Sequence, residues 1–558
     1  MAKESFIKGT LIIAVATLVT RMLGLFQKVP LEHMLGSTGN AAFALSQNVY
    51  LMILAVATAG IPSTLSKMVS ERYALHQTRD AERIYSAALL FGLISGVVTS
   101  TLLFVFAPYY ANLSMVPEAA PAIRALAPAL LLFPMLAMMR GYTQGRNVMQ
   151  ASGISQIVEQ LLRVFTAIGL ALILLNTGAN EAWTAAGASF GGVIGSIGAF
   201  AVMIYYLRKI RRQDREAGIR ASRSHEEHVP LKKIFASIFS LSIPIVLASL
   251  AVPLVNVIDS TITVPLLSPS LGEQVATHVY GVLGQRAQSI AGIPPILAIA
   301  LSTSIIPIIS AAYAKRDMNH LQRQISLAMR ISVLSGMPIV LVLGVGAFSI
   351  NGVLFSSLDG AGIIAALTLG TILQITMMTS SSILIGVGKP YIAMISVTFG
   401  IIVKLIASFV LAKILGVYGI IAATGITFLV ITYLNLRVMK KVVRFHVIGD
   451  RWPGFMLATV IAGGLGYLVE IIGERLVGIS SSMIAFGQKA EITATLGQKM
   501  GFLVTAGFIG VVVLVSFIVG LVVFRVIRKN ELGGYPRLVQ KVLRPLMRLQ
   551  RDAAGARG

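Results

Sequence analysis

Apolar residues in this chain neither alternate with polar ones nor recur on one face of a helix. They run on for twenty or more positions and then give way to short polar stretches. Such runs lie near 7–29, 41–68, 84–108, 121–144, 154–176, 183–207, 233–257, 279–312, 325–350, 361–387, 391–413, 418–439, 453–474 and 500–525. At 1.5 Å per residue each can cross a hydrocarbon core of about 30 Å. The pattern predicts an all-α polytopic membrane protein with about fourteen transmembrane helices. The loops fall into two classes. On one side they are basic, as in RKIRRQDREAGIRASR (208–223), KRDMNHLQRQ (315–324) and RVMKKVVRF (437–445). On the other, NTGANEA (176–182), LLSPSLGEQ (266–274) and SSLDGAG (356–362) hold no lysine or arginine, and only the 475–499 loop there is basic. The positive-inside rule then puts both termini in the cytoplasm, and an even number of spans agrees.

The polar stretch over 208–232 divides the chain into an N-terminal six-helix lobe (1–207) and a C-terminal one (233–445). Two further helices (446–525) and a basic cytoplasmic tail (526–558) follow. The lobes echo one another. AGIP occurs at 59–62 and at 291–294, each in the second span of its half; RGYTQGRN (140–147) and ILIGVGKP (383–390) close corresponding spans. An even number of spans per half gives the repeats the same orientation, about an axis along the membrane normal. Two such lobes facing each other are expected to enclose a central cavity. Inside the spans, Pro62, Pro128, Pro134, Pro244, Pro253, Pro294, Pro295 and Pro307 free backbone carbonyls, which is tolerated where protein or water satisfies them. The run GASFGGVIGSIGAF (187–200) reads as close helix packing.

Composition narrows the class. The 558 residues are 56% hydrophobic and only 12% charged, about half the usual globular share, with mean hydropathy +0.83. A soluble fold would leave large apolar patches exposed. MAKESFIKGT runs into the first span without a small-residue cleavage site, so no signal peptide is expected. The net charge of +24 sits in the loops of one side and is a topology signal; it also attracts anionic headgroups and gives no reason to expect nucleic acid. The tail over 535–552 has apolar and basic residues at helical spacing and is expected to lie on the cytoplasmic membrane surface. With no cysteine, disulfides and thiolate chemistry are excluded. No GxxxxGK[ST] or HExxH occurs, and the seven histidines show no ligand spacing. The expectation is a transporter rather than an enzyme, without metal or cofactor, driven by ion gradients, membrane potential or the substrate's own gradient.

Seven ionisable residues interrupt the spans: Arg21, Lys28, Glu159, Arg163, Asp259, Arg286 and Lys404. A charge at the centre of a lipid-facing helix costs about 2.5–3.5 kcal/mol on insertion scales. Lys28 and Asp259 are expected near the outer ends of their spans, where a long side chain can snorkel. Glu159 and Arg163, four apart on one helix, can pair with each other. Asp259 and Lys404 fall on the first and fifth spans of the second half, and opposite charges inside a membrane usually find each other. Arg21 and Arg286 have no acidic residue within a turn, so their charge must be compensated from elsewhere. The sum is five cations against two anions, which suits an anionic ligand. A guanidinium fork donates two parallel hydrogen bonds to phosphate, whereas a site for hydrophobic cations would carry surplus carboxylates.

At these residues the chain resembles a known family. SFIKGTLIIAVATLVTRMLGLFQKVPLEHMLG with AGIPSTLSKMVSERYA is similar to the opening of the polysaccharide-biosynthesis branch of the multidrug/oligosaccharidyl-lipid/polysaccharide (MOP) flippase superfamily. Within it the chain looks like the group of MurJ-like and stage V sporulation protein B-like lipid II flippases. The resemblance implies two six-helix lobes with two extra helices and outward translocation of an undecaprenyl-diphosphate-linked saccharide, expected to run by alternating access across a bacterial plasma membrane in a monomeric protein. It also implies that Arg21, within TRMLG, and Arg286, within GQRAQ, hold the diphosphate. Gln27, beside Lys28, stands where many MurJ-like proteins have a second arginine. Of the cation-binding carboxylates of some relatives only Asp259 is represented, with Lys404 as its possible coupling partner. Substrate contact is therefore expected from Arg21, Arg286, Lys28, Gln27, Glu159 and Arg163. A cation-coupled multidrug exporter, an exporter of another lipid-linked polysaccharide unit and a membrane scaffold for envelope assembly are the alternatives.

Overall fold

The computed structural model describes residues 6–58, 61–75, 77–216, 243–355, 357–443, 445, 447–479 and 494–527. Most of the 208–232 linker, most of the 475–499 loop and the tail from 528 onwards, with its expected surface helix, lie outside the described residues. In hydrocarbon each backbone N–H and C=O must find a partner within its own segment, and unbroken apolar runs therefore become helices. Among the described residues there is no strand. In chain order the helices are α1 (Phe6–Thr58), α2 (Ile61–Ala74), α3 (Thr78–Leu113), α4 (Ala119–Gly145), α5 (Met149–Asn176), α6 (Glu181–Glu216), α7 (Ala251–Leu271) and α8 (Glu273–Gly281). A π-helical turn (Val282–Ala287) leads into α9 (Gln288–Ala291) and α10 (Pro295–Ala314). Then come α11 (Met318–Val345), α12 (Ala347–Leu354), α13 (Ala361–Gly386), α14 (Pro390–Leu415), α15 (Val417–Val442), α16 (Trp452–Val477) and α17 (Leu496–Val523).

Twelve of these, among the described residues, are long and apolar enough to cross a membrane. The chain is a multi-pass membrane protein. Two features reconcile this count with fourteen apolar runs. The apolar part of α1, Val15–Thr58, has 44 residues and would extend for about 66 Å, twice a hydrocarbon core; it is two helices joined at Gly36 (φ 66°, ψ −170°). The run over 279–312 is divided among α8, the π turn, α9 and α10. The second AGIP motif marks such an interruption, since α9 ends at Ala291 before α10 starts at Pro295, while residues 59–60 of the first lie outside the described residues.

One expected span extends beyond its apolar run, whose first part, 233–242, lies outside the described residues. The run placed at 233–257 is helical over 243–249 and again in α7 as far as Leu271. Pro269 belongs to the loop expected over 266–274 and Pro265 directly precedes it, but both lie within α7, which stops only at Gly272 (φ 81°). A proline removes its own donor and one ladder bond, and inside a membrane protein the rest of the helix persists around that loss.

By internal contacts the chain forms two compact units, 1–289 with 389–427, and 290–388 with 428–558. These cut across the sequence halves: α7, α8, the π turn, α14 and the start of α15 group with the N-terminal helices. In the first unit Leu65, Ile84, Tyr85, Leu136, Met138 and Met203 join α2, α3, α4 and α6 in one buried cluster. In the second, Leu341, Phe455, Ile509 and Phe517 bury α16 and α17 against α11, which makes the two C-terminal helices part of that core. The surface is apolar as well; Phe104, Val105 and Phe106 of α3 and Val511 and Val515 of α17 are more than half exposed, as only a lipid-facing helix can be.

Two sets of glycines position the groups discussed next. At Gly36 the positive φ breaks α1, and a Cβ there would lie 2.4 Å from Glu181 Oε1. Glu181 Oε2 accepts from the Gly39 N–H at 2.9 Å, which satisfies a free donor at the start of the second half of α1. On α6, a Cβ at Gly191 or Gly195 would lie 2.7 Å from the carbonyl of Arg163 or Glu159. The small-residue run thus brings α6 directly onto the charged stretch of α5.

Candidate functional site

All seven ionisable residues named from the sequence lie in the first unit. The structure gathers them into three paired groups and leaves two cations apart.

The first group centres on Arg286. The π-helical turn winds Val282–Ala287 more loosely than an α-helix, and it leaves both Gln285 and Arg286 buried. Such turns recur at functional positions because the extra residue re-aims neighbouring side chains. Arg286 Nε lies 2.7 Å from Glu32 Oε1 of α1. Glu32 is 2% exposed. Its carboxylate is the distant compensation that Arg286 required. Glu32 lies three residues beyond the apolar run over 7–29. In the structure the helix passes through Pro30 and continues to the break at Gly36.

The second group is on α5. Glu159 Oε1 accepts from Arg163 Nη2 at 3.0 Å, the expected pair four residues apart, and its Oε2 accepts from Arg140 Nη2 at 2.8 Å. Arg140 Nη2 also donates to Ser155 Oγ at 2.9 Å. One buried carboxylate therefore serves two guanidinium groups, and the cluster carries a net positive charge. Arg140 lies inside the span expected over 121–144 but close to its end, where the sequence alone gives no sign of a partner nineteen residues away; α4 runs to Gly145.

The third group joins α7, α14 and α15. Lys404 Nζ is 2.5 Å from Asp259 Oδ1, 2.7 Å from Thr424 Oγ1 and 3.0 Å from the Ile420 carbonyl oxygen. Asp259 sits eight residues into α7 and not near its outer end, because the helix extends to Leu271.

Arg21 and Lys28 remain. Among the described residues neither has a carboxylate partner; Arg21 is exposed and Lys28 half-buried. Lys28 is eight residues before the break at Gly36, about 12 Å further in than a span end. Beside it Gln27 is buried and accepts from Gln160 Nε2 at 3.5 Å, while Thr17 Oγ1 donates to Gln156 Oε1 at 3.4 Å. An amide-lined seam between α1 and α5 thus runs past both cations. Arg21 and Arg286 are not side by side. Glu32, which holds Arg286, is eleven residues along α1 from Arg21, a rise of about 16 Å. Among the described residues no group of three or more His, Asp or Glu is placed to hold a metal ion.

The family model for polysaccharide biosynthesis proteins matches residues 6–313, more than half of the chain, from the start of α1 to the end of α10. The chain belongs to this polysaccharide biosynthesis family. Two Bacillus subtilis (strain 168) proteins are similar to it over most of their length. The lipid II flippase MurJ is 26% identical over 529 residues, covering 90% of this chain and 96% of that protein. Stage V sporulation protein B is 25% identical over 555 residues, covering 98% and 100%. Two solved structures share the fold. An inward closed conformation of lipid II flippase MurJ aligns with TM-score 0.60 at 15% identity, over 91% of this chain and 98% of that one. An inward-facing multidrug resistance MATE family transporter of the MOP superfamily aligns with TM-score 0.61 at 16% identity, over 77% and 97%. At these identities the structures speak for the fold alone. The resemblance read from the opening motif and the family model agree, and the all-α multi-pass architecture is that of these transporters.

Proposed function

We propose that this family member is a flippase, not an enzyme, and that it moves an undecaprenyl-diphosphate-linked saccharide, in the first place peptidoglycan lipid II, from the inner to the outer leaflet of the plasma membrane. The observation that carries the reading is the sign of the charge within the helices. Counting Glu32 and Arg140, the groups above comprise six cations (Arg21, Lys28, Arg140, Arg163, Arg286, Lys404) and three carboxylates (Glu32, Glu159, Asp259). Six minus three leaves three positive charges, on Arg21, on Lys28 and on the pair that shares Glu159. A diphosphate diester brings two negative charges and a ring of strong acceptors, which guanidinium groups bind in two-pronged fashion.

In this reading the headgroup enters from the cytoplasmic side while the polyprenyl chain stays in lipid. Arg21, Lys28 and Arg163 receive the diphosphate, Gln27 lies on the amide seam beside them, and Arg286 exchanges Glu32 for phosphate during the alternating-access cycle. An inside-negative potential favours outward movement of an anion by about 2.3 kcal/mol per charge per 100 mV if the whole field is crossed. Such a cycle needs no nucleotide. The name of the lipid II flippase relative supports this substrate, and that of the sporulation relative supports another lipid-linked saccharide as the second reading. A multidrug exporter shares the fold, but a hydrophobic cation would meet the wrong sign of charge here. Both termini in the cytoplasm and a monomeric protein complete the proposal.

The test is flipping of a labelled polyprenyl-diphosphate sugar in liposomes, alongside efflux of a cationic dye. Arg21→Ala and Arg286→Ala should each weaken binding by about 1.5–3 kcal/mol, one to two decades. Arg→Lys should restore only part of it, because an ammonium lacks the fork. Dye efflux that persists in both variants, with no lipid flipping by the wild type, would overturn the assignment.

A further inference from the structure

Lys404 is the one lysine in α14 whose side chain is withdrawn from the surface; it is 0% exposed, although the same helix shows Phe399, Ile402, Leu405 and Ile406 to lipid. An ammonium has three protons and no acceptor, and here each proton has its own oxygen. They are a carboxylate oxygen of Asp259 at 2.5 Å, the Thr424 hydroxyl at 2.7 Å and the Ile420 carbonyl at 3.0 Å. The oxygens are themselves tied together, since Thr424 Oγ1 donates to Asp259 Oδ2 at 3.1 Å. One turn further along α14, Ser408 is fully buried on the same face, and its hydroxyl has no hydrogen-bond partner among the described residues.

A carboxylate, a backbone carbonyl and a hydroxyl converging on one point are the hard oxygen donors that bind alkali and alkaline-earth ions. With a single negative charge they match a monovalent cation. We infer that the Lys404 ammonium is a tethered substitute for a dissolved monovalent cation, that it holds α7, α14 and α15 together permanently, and that the protein therefore has no sodium requirement at this place. The charge of the substitute travels on the chain, so its occupancy cannot follow the ion composition of either side of the membrane. The inference concerns Asp259, Lys404, Thr424 and Ile420 only, and does not depend on which lipid is carried.

The experiment uses the purified full-length protein in detergent, with sodium chloride exchanged for choline chloride at constant ionic strength. Wild type should show no saturable binding of radiolabelled sodium and the same melting temperature in both salts. Lys404→Ala removes the ammonium and leaves the oxygens. It should melt well below wild type in choline, recover part of the loss in sodium, and bind one sodium ion per protein. Asp259→Asn in the Lys404→Ala background should abolish both responses. Saturable sodium binding by wild type that Asp259→Asn removes would overturn the inference, as would a folded Lys404→Ala protein indifferent to sodium. If Lys404→Ala does not fold in either salt, Asp259→Asn with Lys404→Met, which removes both charges and keeps the bulk, supplies the second reading. That variant should fold and stay insensitive to sodium, and sodium-dependent stabilisation of it would equally sink the idea.

Discussion

Glu159→Gln is the substitution that tests the charge arithmetic most directly. Glu159 is 7% exposed and accepts from Arg163 at 3.0 Å and Arg140 at 2.8 Å. Glutamine keeps the shape but presents one oxygen and one NH2 group, so one guanidinium faces a donor. The cluster's net charge rises from +1 to +2 in surroundings from which water is largely excluded. Breaking a buried ion pair by removing one partner costs about 3–5 kcal/mol, because the surviving charge is left without compensation. Arg163→Met acts differently. Glu159 keeps Arg140, which also holds Ser155 at 2.9 Å, and the net charge falls to zero, so the loss is that of one charged hydrogen bond, about 1.5–3 kcal/mol. The two changes should therefore couple with a change of sign. Arg163→Met destabilises the wild type but stabilises the Glu159→Gln protein, since it returns the cluster to +1. Thermal unfolding of the four proteins in detergent completes the cycle. Salt should change little, since the groups are shielded from the ion atmosphere. If Glu159→Gln melts with the wild type, or Arg163→Met lowers the melting temperature further in its background, the claim that one carboxylate balances two arginines is wrong.

Other expectations rest on single contacts. Gly36→Ala forces a side chain into a backbone region that is essentially glycine-only and toward Glu181; it should cost about 1–3 kcal/mol, read as a lower melting temperature, and an unchanged one would remove the strain argument. Glu470 of α16 is 2% exposed and accepts from the Ser349 N–H at 2.8 Å and its hydroxyl at 2.6 Å. Glu470→Gln should cost about 1.5–3 kcal/mol and make α16 more susceptible to limited proteolysis, whereas equal digestion of the two proteins would show that this carboxylate does not fasten α16 to α12.

What the sequence determined by itself is what depends on local chemistry. Unbroken apolar runs have one solution in lipid, the helix, so the all-α membrane class was legible from the sequence alone. Glu159 and Arg163 were legible as a pair because four residues is one helical turn. Asp259 and Lys404 were nameable as partners across 145 positions, since each was left with an uncompensated charge inside the membrane.

The tertiary structure decided everything that depends on where helices stop and what crosses between them. Glu32 falls outside the apolar run over 7–29, and Arg140 sits near the end of the run over 121–144 with no acidic residue close by. The helix of α1 continues through Pro30, and each residue becomes the partner of a charge more than fifteen positions away. Asp259 moved to the middle of a helix for the same reason, Pro265 and Pro269 being held inside α7. The loosened turn that buries Arg286 has no signature in GVLGQRAQ. A helix end depends on the balance between one lost backbone hydrogen bond and the apolar surface its neighbours bury. That balance is set by residues far away in sequence, and it placed the charges that composition could only count.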